Sequence, residues 1–329
     1  MVSYNQARLR RLNACPTRTD GAYVLYWMQM QRRLTHNHSL DYALKCANEL
    51  SKPLIIYEGL RLDYPWASAR LHQFILEGMR DNAVAAKKLG FTYWPFVEAQ
   101  AQPARGLLAR LAPRAALVVT DDFPCFIIPK QSASLARGVD RAVIAVDSNS
   151  VVPLRLLGGA PYAAAHLRPR IHKQFAEAFE RRSAPKPKPA SVDGSNISPG
   201  FELAALDDPA GLIARLPIDQ TVRAVTGREG GALAARAQLK LFIKKGLPVY
   251  AVLDHHQTPG SLEDIPFLDI RRGIGATCSL VTRYLIEQEI PIPEHVATSL
   301  FYGIETELSG YPREAICMGC HAIVKTDSP

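Results

Sequence analysis

Residues 250–260 read YAVLDHHQTPG, and Asp254, His255 and His256 stand in a row at the end of a short apolar run. Carboxylate and imidazole side chains together are ligand types that suit a divalent metal such as manganese. The same three residues also read as a polar surface turn, and the spacing alone leaves both readings open. A second group, Cys317-Met-Gly-Cys320-His321, spells the pattern of covalent haem attachment. Zinc binding, a redox pair and a chance arrangement are its other readings. Haem attachment needs export, whereas the basic N-terminus has no apolar core behind its charges and does not read as a secretory signal.

The elements that would position such groups follow from the apolar pattern. Ala22–Met28, Pro53–Glu58, Phe91–Phe96, Ala115–Thr120 and Ala142–Asp147 are short runs rich in β-branched and aromatic residues, and they predict buried strands. Between them, residues 39–50, with Ser39 as cap, and residues 67–89 carry apolar residues at helical spacing. Strands alternating with helices predict a parallel sheet covered on both faces, with ligands at the carboxyl ends of the strands. Trp27, Met28 and Gln29 end the first strand, and Glu58 to Asp63 follow the second, so these residues are candidates to line a ligand crevice.

A basic helix, residues 166–182, leads to SAPKPKPASVDGSNISPG, which cannot bury enough apolar surface to fold alone and reads as a linker or mobile crossover. Helical pieces follow, including residues 231–246. LPVYAVLD then reads as a strand, and residues 275–288 and 294–308 as two amphipathic helices. No internal repeat is present.

The composition, 47% hydrophobic and 21% charged over 329 residues, is that of a globular chain long enough for two domains. No apolar run is long enough for a membrane span, and six cysteines do not make a disulfide framework, so a cytoplasmic protein is expected. The charge is uneven. From Val252 onward there are 5 Lys and Arg against 11 Asp and Glu, which leaves 34 basic and 20 acidic residues before it. A basic body suits a polyanion such as DNA, and a solvated arginine-rich surface is the plainer alternative.

The stretches Gly21–Arg33, Asn37–Leu44, Lys52–Asn82, Tyr93–Glu98, Val118–Lys130 and Ala145–Arg155 come in the order and spacing of the class II DNA photolyases, which the chain resembles over residues 20–251. The resemblance implies a Rossmann-like α/β antenna domain, an antenna pigment near it, FAD as the electron donor and light-driven repair of cyclobutane pyrimidine dimers in DNA. Such a lesion is flipped out of the duplex to bring the reacting bond close to the donor. In that family the flavin pocket lies in a helical domain reaching well past residue 250. Here the only tryptophans are Trp27, Trp66 and Trp94, none of which fits the family's flavin-reducing path, so the flavin site is expected to be largely absent.

From Val252 to Ala315 the chain resembles the DHH phosphoesterases, through VLDHHQTPG and residues 267–315. That resemblance implies a hydrolase of short nucleic acids or nucleotides that clamps phosphate between two manganese ions. Asp254 and His255 would belong to the metal site, His256 would meet the phosphate or leaving group, and Glu307 stands where the family has a metal-binding aspartate. The family's upstream His and Asp-x-Asp motif is not found, so the ligand set is incomplete. The join at GLPVYA–VLDHHQ reads as a seam, and a non-catalytic fusion or fragment is the third reading. The expected organisation is an antenna domain over 1–182, a linker over 183–200, a helical connector over 201–251 and a partial α/β phosphoesterase-like segment over 252–329.

Overall fold

The computed structural model describes residues 6–178, 184–192, 194–244, 251–254, 267–271, 274 and 276–308. It divides into two compact units, Met1–Gly158 with Gln174–Leu241, and Gly159–Lys173 with Phe242–Pro329.

The first unit is an α/β fold around a six-stranded sheet. In chain order its elements are β1 (Leu9–Arg11), β2 (Tyr23–Met28), α1 (His38–Leu50), β3 (Leu54–Leu60), α2 (Ala69–Leu89), β4 (Thr92–Val97), α3 (Leu107–Leu111), β5 (Ala115–Asp121), α4 (Ile128–Gly138) and β6 (Val143–Val146). The strand order is β1-β6-β5-β2-β3-β4, parallel throughout except for β1 against β6. All five strands read from the apolar runs are present. Strand β1 escapes such a reading because Leu9–Arg11 is short, basic and outward-facing, as edge strands often are. On the other edge, Pro95 sits in β4, where its missing N–H costs no ladder bond.

The buried residues of β2 alternate between two cores. Val24, Tyr26 and Met28 face α1, while Tyr23, Leu25 and Trp27 face the side covered by Leu107 and Leu111 of α3 and Leu135 of α4. Helix α1 begins two residues earlier than a Ser39 cap implies, and its cap is Asn37. The Asn37 side-chain oxygen accepts from the N–H groups of Ser39 and Leu40, which only a residue outside the first turn can do.

The chain continues through α5 (Ala164–Ala178), α6 (Pro189–Val192), α7 (Pro209–Ala214) and α8 (Ala232–Lys244). The segment read as a linker or crossover is tied to α1 through Asn48, which donates to Lys186 O and accepts from Lys188 N. Leu206, Ile213 and Leu216 pack against Leu76 and Met79 of α2. Glu77 and Asp81, one helical turn apart on α2, accept from the N–H groups of Gly230 and Leu233 and so hold the start of α8. A side chain at Gly230 would strike the carbonyl oxygen of Phe74, which explains the glycine.

In the second unit, β7 (Ala251–Asp254) pairs in parallel with β8 (Phe267–Ile270), and α9 (Thr277–Glu287) packs on α10 (Glu294–Leu308) through Ala276, Ala297, Leu300 and Ile304. Arg271 and Tyr284 both donate to Asp269 and hold its carboxyl below the usual carboxylate range. Among the described residues no helix is long and apolar enough to cross a membrane.

Candidate binding crevice at the carboxyl edge of the sheet

Chain order fixes where a crevice must open. From β2 the chain moves outward to β3 and β4, then returns to the other side of β2 as β5 and β6. The loops after β2 and β5 therefore diverge, and an open α/β sheet offers its ligand site at such a switch point. Gln29, the first residue after β2, lies there. Its side-chain nitrogen donates to Thr120 Oγ1 on β5 at 2.7 Å and to Ser132 Oγ on α4 at 3.0 Å. The Thr120 hydroxyl in turn donates to the carbonyl of Trp27. Its proton is therefore committed, and the Gln29 atom facing it must be the donor nitrogen. That leaves Gln29 Oε1 buried with no hydrogen-bond partner. A buried acceptor in this state costs about 1–3 kcal/mol, which a ligand N–H would relieve.

The other side of the switch point is closed by Asp121, at the end of β5 and 2% exposed. Its Oδ2 accepts from three consecutive backbone N–H groups, Gln29 at 2.9 Å, Met30 at 2.7 Å and Gln31 at 2.9 Å. Its Oδ1 accepts the Tyr26 hydroxyl at 2.8 Å. Burial, with the Asp121 charge beside it, raises Tyr26 well above the usual tyrosine range. Carboxylates bind other loops of this edge in the same way. Glu98 accepts from Leu62 N and Ala104 N, and Asp147 accepts from Asn149 N and Leu154 N.

The residues singled out in the sequence divide between places. Trp27 and Gln29 belong to the α4 side of the switch point. Met28 is on the opposite face, where its sulfur lies 3.9 Å from Asn82 Nδ2. Glu58, fully buried, is on that face too and accepts from Tyr93 OH at 2.7 Å, Asn82 Nδ2 at 2.9 Å and Arg32 Nη1 at 3.1 Å. Its two oxygens are thus occupied by the protein itself. Asp63 is exposed and paired with Arg61. Arg32 joins the two loops, since it also donates to the carbonyls of Gln29 and Gly59.

Reading along the sequence passes over Asp121, Arg32, Thr120 and Ser132. Only an acidic residue ending an apolar strand signals Asp121. Aromatic side chains also stand on β3 and past β5. Tyr57 curls back so that its hydroxyl lies where a side chain at Gly59 would have to be, and its ring meets Phe201 edge-on with centroids 6.0 Å apart. Past β5, Phe126 is 75% exposed and stacks parallel on Phe123.

In the second unit, the backbone of Asp254 ends β7 and that of Glu307 lies in α10. His255, His256, Cys317, Cys320 and His321 lie outside the described residues. Among the described residues no group of three or more His, Cys, Asp or Glu is arranged to hold a metal.

The mostly parallel six-stranded sheet and its helices define a Rossmann-like α/β module. Over 206 residues, 61% of its length, the chain is 32% identical to the deoxyribodipyrimidine photo-lyase of Methanothermobacter thermautotrophicus, 44% of which is covered. It is 24% identical over 255 residues to the deoxyribodipyrimidine photo-lyase of Potorous tridactylus, covering 75% of this chain and 45% of that one. A shorter match, 36% identical over 63 residues, is to an uncharacterised protein of Methanocaldococcus jannaschii and covers 19% of this chain and 13% of that one. No protein-family model matches. The matched stretches span less than half the length of either photo-lyase. These similarities support the resemblance to the N-terminal region of photolyases, and lend no support to the manganese phosphoesterase reading of residues 252–315.

Proposed function

We propose that the first unit serves a photolyase-type DNA-repair protein as its antenna half, holding a light-absorbing pigment in the crevice between β2 and β5. The similarity to two photo-lyases carries this reading. The unpartnered Gln29 Oε1 is the acceptor that a planar ring bearing an N–H would need. Trp27 and Gln29 would hold the pigment, while Met28 and Glu58 would act from the opposite face of the sheet and Asp63 from the loop after β3. A bound pigment absorbs light and passes the energy to a reduced flavin. That flavin, of the FAD type, follows from the resemblance and is not placed on particular residues of this chain.

DNA is the proposed polyanionic partner, consistent with 34 basic against 20 acidic residues before Val252. The test uses riboflavin as a ring probe. Saturable quenching of its fluorescence, weakened in Gln29→Leu, is the expected result. No quenching at any accessible concentration would remove the pigment reading.

A further inference from the structure

Most of the surface of the first unit mixes its charges. Arg18, Arg61 and Arg80 each stand beside a carboxylate, that of Asp20, Asp63 and Glu229 respectively, and Lys45 pairs with Glu49 one turn along α1. Interspersed signs of this kind keep a surface solvated and call for no partner. Helix α5 departs from that pattern. His166, Arg168, Arg170, His172 and Lys173 are all exposed on it, and no Asp or Glu occurs in the chain between Asp147 and Glu177. Leu167, Ile171 and Gln174 are half-buried and recur at helical spacing, so they settle which face of α5 turns inward.

On the outward side the bases form two rows. His166, Arg170 and Lys173, at i, i+4 and i+7, make one row, and Arg168 and His172 make the other. Arg170 donates to the carbonyl of Gly159. Among the described residues no carboxylate or other acceptor engages the side chains of Arg168, His172 or Lys173. Tyr162, 80% exposed, stands just before the helix with its ring centroid 6.4 Å from that of His166. A single small anion needs donors that converge, whereas these bases are strung over about 10 Å of helix axis. An extended polyanion matches them, since duplex DNA presents a charge about every 1.7 Å of its axis. Only Pro169 stands between the two rows, whereas a helix that lies on a membrane turns a broad apolar face outward.

We infer that the outward face of α5 is a damage-independent contact for duplex DNA, in which Arg168 and Lys173 meet the phosphate backbone. The inference rests on DNA as the partner and adds the surface that grips undamaged backbone. Phosphate contacts fix position and carry no information about bases, so this face holds the duplex whether or not a damaged base is present.

The deciding experiment is fluorescence anisotropy of a short undamaged duplex, titrated with the full chain over a range of salt concentrations. The variant carrying both Arg168→Gln and Lys173→Gln is expected to bind roughly tenfold more weakly, with a salt slope smaller by about 1.8, two contacts at about 0.9 each. Each single variant is expected to show half that change in slope. A control carrying Arg61→Gln and Arg80→Gln loses the same formal charge from paired positions, and its slope is expected to stay unchanged. An unchanged slope in the α5 variant, or an equal fall in the control, would overturn the inference. A duplex bearing a cyclobutane pyrimidine dimer separates this outcome from failure of the DNA reading. Binding of that duplex alone, equal in the unmodified protein and the α5 variant, would overturn the inference and leave the repair reading standing. Binding of neither duplex would remove both. Phosphatidylserine vesicles bound in preference to the duplex, with that binding lost in the α5 variant, would overturn the inference in favour of a membrane.

Discussion

The Tyr26 hydroxyl donates to the Asp121 carboxylate at 2.8 Å, joining two adjacent parallel strands that stand ninety-five positions apart in the chain. Asn37 Nδ2 donates to the same hydroxyl at 3.0 Å, so the cap of α1 is joined to the same network. Strand, loop and helix start are therefore fixed together at the point where the sheet changes direction. Hydrogen bonds to a charged group contribute about 1.5–3 kcal/mol each, so such a network is costly to open.

Asp121→Ala is expected to lower the unfolding free energy by about 3–5 kcal/mol, because it strands four donors, three of them buried. Urea denaturation followed by circular dichroism checks this. A loss under about 1 kcal/mol would show that the loop after β2 is held by something else.

Tyr26→Phe removes one donor and leaves Asp121 with its three backbone partners, so a smaller loss of about 1–2 kcal/mol is expected. Tyr26 and Tyr93 are both raised above the usual value of 10.0 by burial, with Asp121 and Glu58 respectively adding to the effect. The unfolded chain ionises first, so stability is fully present below pH 10 and falls as the pH rises above it. Each single Tyr→Phe variant is expected to show a shallower decline in alkaline melting curves than the unmodified protein.

Burial pushes the Asp41 carboxyl up from 3.8 to about 6. A raised carboxyl favours folding most while both states are protonated, below pH 3.8, and that stability is lost as the pH rises through about 6. Asp41→Asn is expected to flatten the stability profile across this window, as melting at intervals of half a pH unit would reveal. An unchanged profile would mean that Asp41 is as hydrated as in the unfolded chain.

Glu58→Gln is expected to cost about 2 kcal/mol, since it discharges a fully buried acceptor of Arg32, Asn82 and Tyr93. Its effect on riboflavin affinity is expected to be smaller than that of Gln29→Leu, because both Glu58 oxygens are taken on the α2 side. The two affinities measured side by side check the assignment of Glu58 to the scaffold.

Much of the sheet was legible because each central strand is an unbroken apolar run, as burial on both faces requires. The strand–helix alternation alone placed Trp27 and Gln29 at the carboxyl edge of the sheet. The chemistry of that edge could not be read, because its main donors are backbone N–H groups, which every sequence supplies equally. Their acceptor, Asp121, lies some ninety residues away. Glu58 looked like a ligand group for the same reason: the partners that satisfy it, Asn82 and Tyr93, come from α2 and β4 and are adjacent only after folding. Asn37 lost the cap to Ser39 in the sequence because both residues favour that position.

Ring binding at the first unit depends on Gln29 Oε1 as acceptor, and equilibrium titration of riboflavin against the unmodified protein and Gln29→Leu tests this most directly. One saturable site, weakened at least tenfold in the variant while its melting temperature is retained, is the result expected. Equal affinity in the two proteins, or no saturation in either, would contradict it.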